Sequence, residues 1–219
     1  MGEAGGTFRG KRAQVRAEAP LKPPDGPGSR GLTEASATPR ASRPFRPRGS
    51  RTATLVGPFQ GTVIAVPGRG KSTILIPALL DAGLPAVGVI SLDVIRKKLY
   101  GRPDILGGSE VEREAGRLEE ARMIAVQSVV RDSTGLNKKV RKAQVRRAHR
   151  GGIRAVALLS SSLSLTELLR RNRHRSHLVP NEVLEMFYEK HAVVTVEELR
   201  SEGFDQVVVW NNHTTFTLT

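Results

Sequence analysis

The sequence predicts an α/β fold, with about five parallel strands in one sheet and helices on both faces. Three observations carry that expectation. From Leu55 onward, short apolar runs alternate with helical stretches. The apolar runs, such as Ala86-Val87-Gly88-Val89-Ile90, are continuous, as in strands covered on both faces. A Gly-rich turn, Pro67-Gly68-Arg69-Gly70-Lys71-Ser72-Thr73, joins the first run to the first helix. In such a sheet ligands sit at the C-terminal ends of the strands, so chemistry is sought there.

In chain order, residues 63–66 form the first core strand and 73–82 its following helix, ended by Gly83. Residues 86–90 are the second strand, and a helix from Asp93 to Tyr100 is stopped by Gly101-Arg102-Pro103. A long helix spans 109–126, with Ser109 as N-cap and Glu112 as its capping-box partner. Residues 126–131 are the third strand. Residues 137–150 form a helix ended by Gly151-Gly152; Val140, Ala143 and Val145 face the core, while Lys138, Lys139, Arg141, Lys142, Arg146 and Arg147 stay solvated. That basic face serves solubility or contacts nucleic acid. Residues 153–159 are the fourth strand, 164–172, 180–191 and 195–201 are helices, and 206–210 the last strand.

Lys and Arg outnumber Asp and Glu by 35 to 21 in 219 residues, a formal charge of +14, and the pI is about 11.1. Residues 1–51 hold eleven Lys/Arg against four Asp/Glu and the remainder 24 against 17, so both parts are basic and a polyanionic partner is expected. Residues 1–52, rich in Gly, Pro, Arg and Ser, cannot bury enough apolar surface to offset ordering entropy and are expected to be disordered. Such a segment is a plain extension (an artefact of an upstream start codon included), a basic tether for nucleic acid, or an Arg-rich targeting peptide. The folded domain is then 53–219. The absence of Cys excludes disulfides and Cys-based zinc sites. No apolar run approaches the roughly 18 residues of a membrane span, and a soluble, cytoplasmic protein is expected.

Four segments at strand ends carry the chemistry. In the Gly-rich turn, backbone N–H groups converge on an anion at a helix N-terminus. Lys71 reaches the β- and γ-phosphates of a nucleotide, and the Ser72 hydroxyl ligates Mg²⁺. The strict pattern G-x-x-x-x-G-K-[ST] asks for Gly where this chain has Ala65. At the second strand end, Asp93 and Arg96 share one side of a helical turn; the carboxylate suits proton acceptance from a hydroxyl and the guanidinium suits a phosphate. The same pair is also accounted for by a helix cap and a surface ion pair. Asp132 ends the third strand, where an acid facing Mg²⁺ would sit, although Asp132-Ser133-Thr134-Gly135 is equally an ordinary turn. Arg171 and Arg175, spaced i, i+4, suit either a lid over a transferring phosphoryl group or a solvated helix end. The five His residues are scattered without zinc spacing, and G-x-S-x-G is absent.

Together these segments resemble the P-loop kinase domain of phage-type polynucleotide 5′-kinases and the related zeta-toxin group. The resemblance rests on Pro67 to Thr73, Asp93-x-x-Arg96 with Leu99-Tyr100-Gly101, Asp132 to Leu136, Thr166-Glu167-Leu168-x-x-Arg171-Asn172-x-x-Arg175, and Val179-Pro180 with Phe187-Tyr188. It covers roughly residues 60–210 and implies a P-loop NTPase fold with an Arg-bearing lid. By it, Pro67, Gly68, Arg69, Gly70, Lys71, Ser72 and Thr73 hold ATP with Arg171 and Arg175, and Ser72 holds Mg²⁺. Lys71, Asp93, Arg96, Arg171 and Arg175 are implied in catalysis, with Asp93 as base. Asp93, Arg96, Asp132 and Thr134 face the acceptor, an RNA or DNA 5′ end. The chain departs from the family at Ala65, at Gly135 in place of Asn, and at Arg69 in place of a small residue. It contains no Asp-x-Asp phosphatase motif, so kinase alone is expected. Two other readings stay open: a small-molecule or toxin-type P-loop kinase, and a nucleotide- or nucleic-acid-binding module that has lost catalysis.

Overall fold

The structure, a computed structural model, describes residues 51–102 and 108–219. The expectation for 1–52 therefore falls, up to residue 50, outside the described residues, as does the stop at Pro103. The described chain opens with β1 (Arg51–Leu55) and β2 (Phe59–Ile64). After the Gly-rich turn, a π-type turn, Lys71–Leu75, runs into α1 (Ile76–Asp81), followed by β3 (Val89–Ser91) and α2 (Leu92–Tyr100). Then come α3 (Ser109–Ile124), β4 (Val129–Asp132), α4 (Lys138–Arg150), β5 (Arg154–Ser160) and α5 (Leu165–Asn172). The chain ends with α6 (Asn181–Ala192), α7 (Val196–Ser201), β6 (Gln206–Trp210) and β7 (Thr214–Leu218).

Five strands form one all-parallel sheet in the order β3-β4-β2-β5-β6, as the alternating pattern predicts. Successive side chains of a strand point to opposite faces, so each strand feeds two cores. On one face Ile64, Val129, Ala155, Ala157 and Leu159 pack with residues of α2, α3, α4 and α7. On the other, Phe59, Val63, Val130, Val156 and Leu158 pack with Leu75, Ile76 and Leu79 around α1. Among the described residues, no helix is long and apolar enough to cross a membrane.

The first sheet strand spans Phe59–Ile64, earlier than residues 63–66, because polar Gln60 and Thr62 mask the run. Both are buried, and the Thr62 hydroxyl donates to Gln144 Oε1 of α4 at 2.7 Å. Residues 86–88 form a tight 3₁₀ turn after Pro85, leaving only Val89–Ser91 to pair. Residues 126–128 close α3 instead of starting a strand: Val126 N–H donates to Met123 O and Gln127 N–H to Arg122 O, with Val126 at φ 54°. Gly108, not Ser109, is the cap position of α3, and Glu112 makes no capping box; it pairs with Arg131 Nη1 at 2.6 Å.

Two further strands lie outside the alternating pattern of the sequence. β1 and β7 pair in parallel, Arg51 opposite Thr214 through Leu55 opposite Leu218, and drive Leu55 and Phe216 into the α1-side core. Gln206 Nε2 ties β6 to this ribbon through Thr54 O at 2.8 Å.

The expectation of a solvated basic face on α4 fails at two positions. Arg141 is 1% exposed and makes a forked pair with Glu202, the residue that follows α7, at 2.8 and 2.5 Å. Arg147 reaches Glu119 of α3, which also takes Arg131 of β4 at 2.5 and 2.9 Å. Glu119 and Arg131 are buried, so their charges are spent inside the fold, while Arg147 stays partly exposed.

Candidate active site

The sheet delivers the ends of β2, β3, β4 and β5 to one edge, and the site assembles there. Leaving β2, Ala65 N–H donates to Thr134 O at 3.0 Å, stitching the loop after β2 to the turn after β4. Gly68 and Gly70 hold φ of 80° and 97°, a region open to glycine, and Gly70 O receives both Ile74 N–H and Leu75 N–H. The amides of Gly70, Lys71, Ser72 and Thr73 donate to no main-chain carbonyl among the described residues, leaving a run of free donors at a helix start. Ala65 does not distort this loop. The only described non-glycine residue with positive φ is Val126, so position 65 does not require glycine.

Lys71 stands at the centre. Its ammonium donates to Val66 O at 3.3 Å, and its pKa is lowered to about 8. Desolvation is the main cause; the charges of Asp132 and Asp93 oppose it and that of Arg175 adds to it. One ammonium thus senses side chains from β4, α2 and the segment after α5. Only the protonated form holds phosphate, and protonation is complete below this pKa. Affinity for a phosphate-bearing ligand at this loop is therefore expected to be level up to about pH 8 and to fall by up to about tenfold per unit above it. Calorimetric titration with ATP from about pH 7 to 9.5 checks this, and Lys71→Arg is expected to abolish the alkaline fall.

Ser72 Oγ donates to Asp132 Oδ2 at 2.8 Å. A hydroxyl beside a carboxylate at the phosphate loop fits Mg²⁺, which takes one or two protein oxygens and leaves the rest to phosphates and water. Among the described residues, no group of three His, Cys, Asp or Glu side chains gathers that could hold a metal ion. Asp132, grouped with the acceptor residues from the sequence, stands against Ser72, while Thr134 contributes its carbonyl to Ala65.

On the acceptor side, Ser91 caps α2 through Val94 N–H at 3.5 Å and sets Asp93 and Arg96 on its first turns. Arg96 Nη1 donates to Asp93 Oδ1 at 2.6 Å. Asp93 remains open, its side chain 68% exposed, while Arg96 Nε is buried and has no hydrogen-bond partner among the described residues.

α5 sits over the loop. Ser164 caps it through Glu167 N–H, and Glu167 is gripped by Arg170 and Arg171, which hold its carboxyl at about 2. Arg171 Nη1 reaches Gly68 O at 3.4 Å. Leu168 and Leu184 pack on Val66, fixing α5 and α6 to the loop. Asn172, part of the arginine-bearing motif, has a structural task that sequence reasoning missed: its amide bonds Val179 at both O and N–H, closing the segment that carries Arg175.

Two departures from the family pattern acquire reasons. Gly135 has φ 59°, and a Cβ there would meet Val63 O at 2.1 Å, so no larger residue fits. Arg69 does not present its side chain as a phosphate ligand. It is 2% exposed, bonded to Ser161 and Asn212, and stacked 4.9 Å from the Trp210 ring centroid.

The Gly-rich loop between the central strand of a parallel sheet and the following helix makes this an α/β fold of the P-loop type. No protein-family model and no curated protein matches the chain. Similar solved structures include a gluconokinase from Sinorhizobium meliloti 1021, at 22% identity and TM-score 0.46, over 72% of this chain and 84% of that one. The Pnkp1/Rnl/Hen1 RNA repair complex gives 17% identity and TM-score 0.47, over 63% of this chain and 45% of that one. The PezAT toxin-antitoxin system of Streptococcus pneumoniae gives 16% and 0.47, over 75% and 71%.

Proposed function

We propose that the chain is an ATP- and Mg²⁺-dependent kinase that phosphorylates a hydroxyl, with the 5′-hydroxyl of RNA or DNA as acceptor. The observation that carries this reading is the phosphate loop itself, whose run of free amides opens a helix beside the Ser72 Oγ–Asp132 Oδ2 hydrogen bond at 2.8 Å. In the proposed reaction the free amides of the loop and Lys71 hold the donor phosphates. Ser72 and Asp132 are the residues that would hold Mg²⁺, which when bound offsets phosphate charge. Asp93 accepts the proton of the attacking hydroxyl, Arg96 orients the acceptor, and Arg171 and Arg175 stabilise charge on the transferring group.

For a polynucleotide acceptor, the support is the exposed basic segment Arg173, His174, Arg175 and His177 beside the site. A small-molecule acceptor is favoured by a different observation: Arg131, Arg141 and Arg147 are consumed by internal ion pairs, which reduces the basic surface counted from sequence. The impaired-module reading loses its motive at Ala65 and Gly135, since both residues suit their backbone positions.

The test supplies γ-labelled ATP and Mg²⁺ with oligonucleotides ending in 5′-hydroxyl or 5′-phosphate. Label entering only the 5′-hydroxyl strand is expected. Transfer to small hydroxylated metabolites but not to oligonucleotides would move the acceptor to the second reading, and ATP binding without any transfer would overturn the kinase.

A further inference from the structure

Arg69 is the second residue after Pro67 in the phosphate loop, yet its guanidinium is turned into the protein. Nε donates to Ser161 O, Nη2 to Ser161 Oγ and Nη1 to Asn212 Oδ1, each at 2.8 Å, and Cζ lies over Trp210. All of these partners are neutral. Among the described residues no carboxylate pairs with Arg69. Buried cations are ordinarily paired, as Arg131 and Arg141 are in this fold. Burial, with Arg171 adding to it, lowers the Arg69 pKa only to about 10, so the charge is retained at neutral pH. Arg171 in turn reaches Gly68 O, so two like charges flank the loop, one beneath it and one from α5.

We propose that Arg69 is a fixed charge beneath the phosphate loop, whose counter-ion is the polyphosphate of the donor and whose field strengthens polyphosphate binding without direct contact. This role rests on the kinase reading and adds a determinant to its donor site. Each of its three nitrogens already donates to Ser161 or Asn212, so the guanidinium acts through space, where burial from solvent makes a unit charge count for more than at the surface. It also explains an arginine at a loop position whose side chain turns into the protein: a neutral residue could fill the space, but only a cation supplies the field.

The rival role is a staple that merely holds the loop in shape. Asn212→Asp separates the two, because it keeps the hydrogen bond to Nη1 and the fork geometry while placing a carboxylate on the guanidinium. Affinities for inorganic triphosphate, ATP and adenosine are measured by calorimetry at about pH 7 for the full chain and for Asn212→Asp, Arg69→Lys and Arg69→Met. Asn212→Asp and Arg69→Met are expected to weaken triphosphate and ATP by about tenfold or more, with adenosine unchanged and Arg69→Lys within about threefold of the unaltered chain. Asn212→Asp retaining full triphosphate affinity, or adenosine falling in parallel, would leave Arg69 a staple and overturn the role. A failure of Arg69→Met to fold does not stop the test, since Asn212→Asp removes no packing. If the unaltered chain binds neither triphosphate nor ATP, the kinase reading and this role both fall; if it binds them and Asn212→Asp changes nothing, only the role of Arg69 falls.

Discussion

Asp93→Asn is expected to lower the rate of phosphoryl transfer by about 10²- to 10⁴-fold while leaving ATP affinity unchanged, since a positioned base contributes on that scale. The carboxylate projects from the first turn of α2, open to solvent and hydrogen-bonded to Arg96 at 2.6 Å. Asparagine preserves shape and can still accept from Arg96, so what is removed is the capacity to take the proton. Fold stability should hardly move, because an ion pair with one partner this exposed contributes at most about 1 kcal/mol. Two readouts separate base from positioning residue. The rate at saturating ATP should fall in Asp93→Asn, and KM for ATP should stay level. A variant keeping more than about a third of the rate, or losing ATP affinity and rate together, would remove Asp93 from the role of base. Arg96→Lys would then show whether the partner matters by its charge or by its fork. A point charge cannot replace two parallel donors, so a raised acceptor KM at nearly unchanged ATP KM is the signature of acceptor phosphate recognition.

The phosphate loop was legible from residues 67–73 because its requirements are local: glycines where φ is positive, a lysine, a hydroxyl and a following helix. The order of sheet elements was legible for a similar reason, since apolar runs such as 153–159 have few other uses. The β1–β7 ribbon was not, because Thr-Ala-Thr-Leu and Thr-Thr-Phe-Thr-Leu bury only alternate residues and their pairing joins segments more than 150 residues apart. Buried arginines were hidden in the same way. Arg141 reads as one more cation on a basic helix until Glu202, 61 residues on, is seen to fork with it. Ser109 and Glu112 fitted a capping box by spacing alone, but Arg131 claims the carboxylate from across the fold. Arg69 is the most instructive case. Its place in the loop suggested a phosphate contact, and only Ser161, Asn212 and Trp210 reveal which way it turns.

Glu119→Gln is expected to destabilise the fold by about 3 kcal/mol. Glu119 is completely buried and shared: Arg131 grips it through Nε and Nη2, and Arg147 approaches its second oxygen from α4. Glutamine fills the same volume but removes a charge that two guanidiniums share, and its amide adds a donor facing donors. Arg131 has Glu112 in reserve at 2.6 Å, whereas Arg147, with a side chain 29% exposed, can turn to water. These outlets place the loss at the lower end of what breaking a buried pair costs. Urea unfolding measures it directly, and a loss below about 1 kcal/mol would mean that solvent screens the cluster. The same cluster should reach the site, since Arg131 directly precedes Asp132 on β4 and the register Ser91 opposite Asp132 ties that strand end to the start of α2. In Glu119→Gln, assayed well below its unfolding temperature, the Mg²⁺ concentration needed for half-maximal transfer should rise while ATP affinity measured without metal stays constant. That split is expected because the side chain that answers to β4 is Asp132, whereas the loop amides answer to β2 and α1.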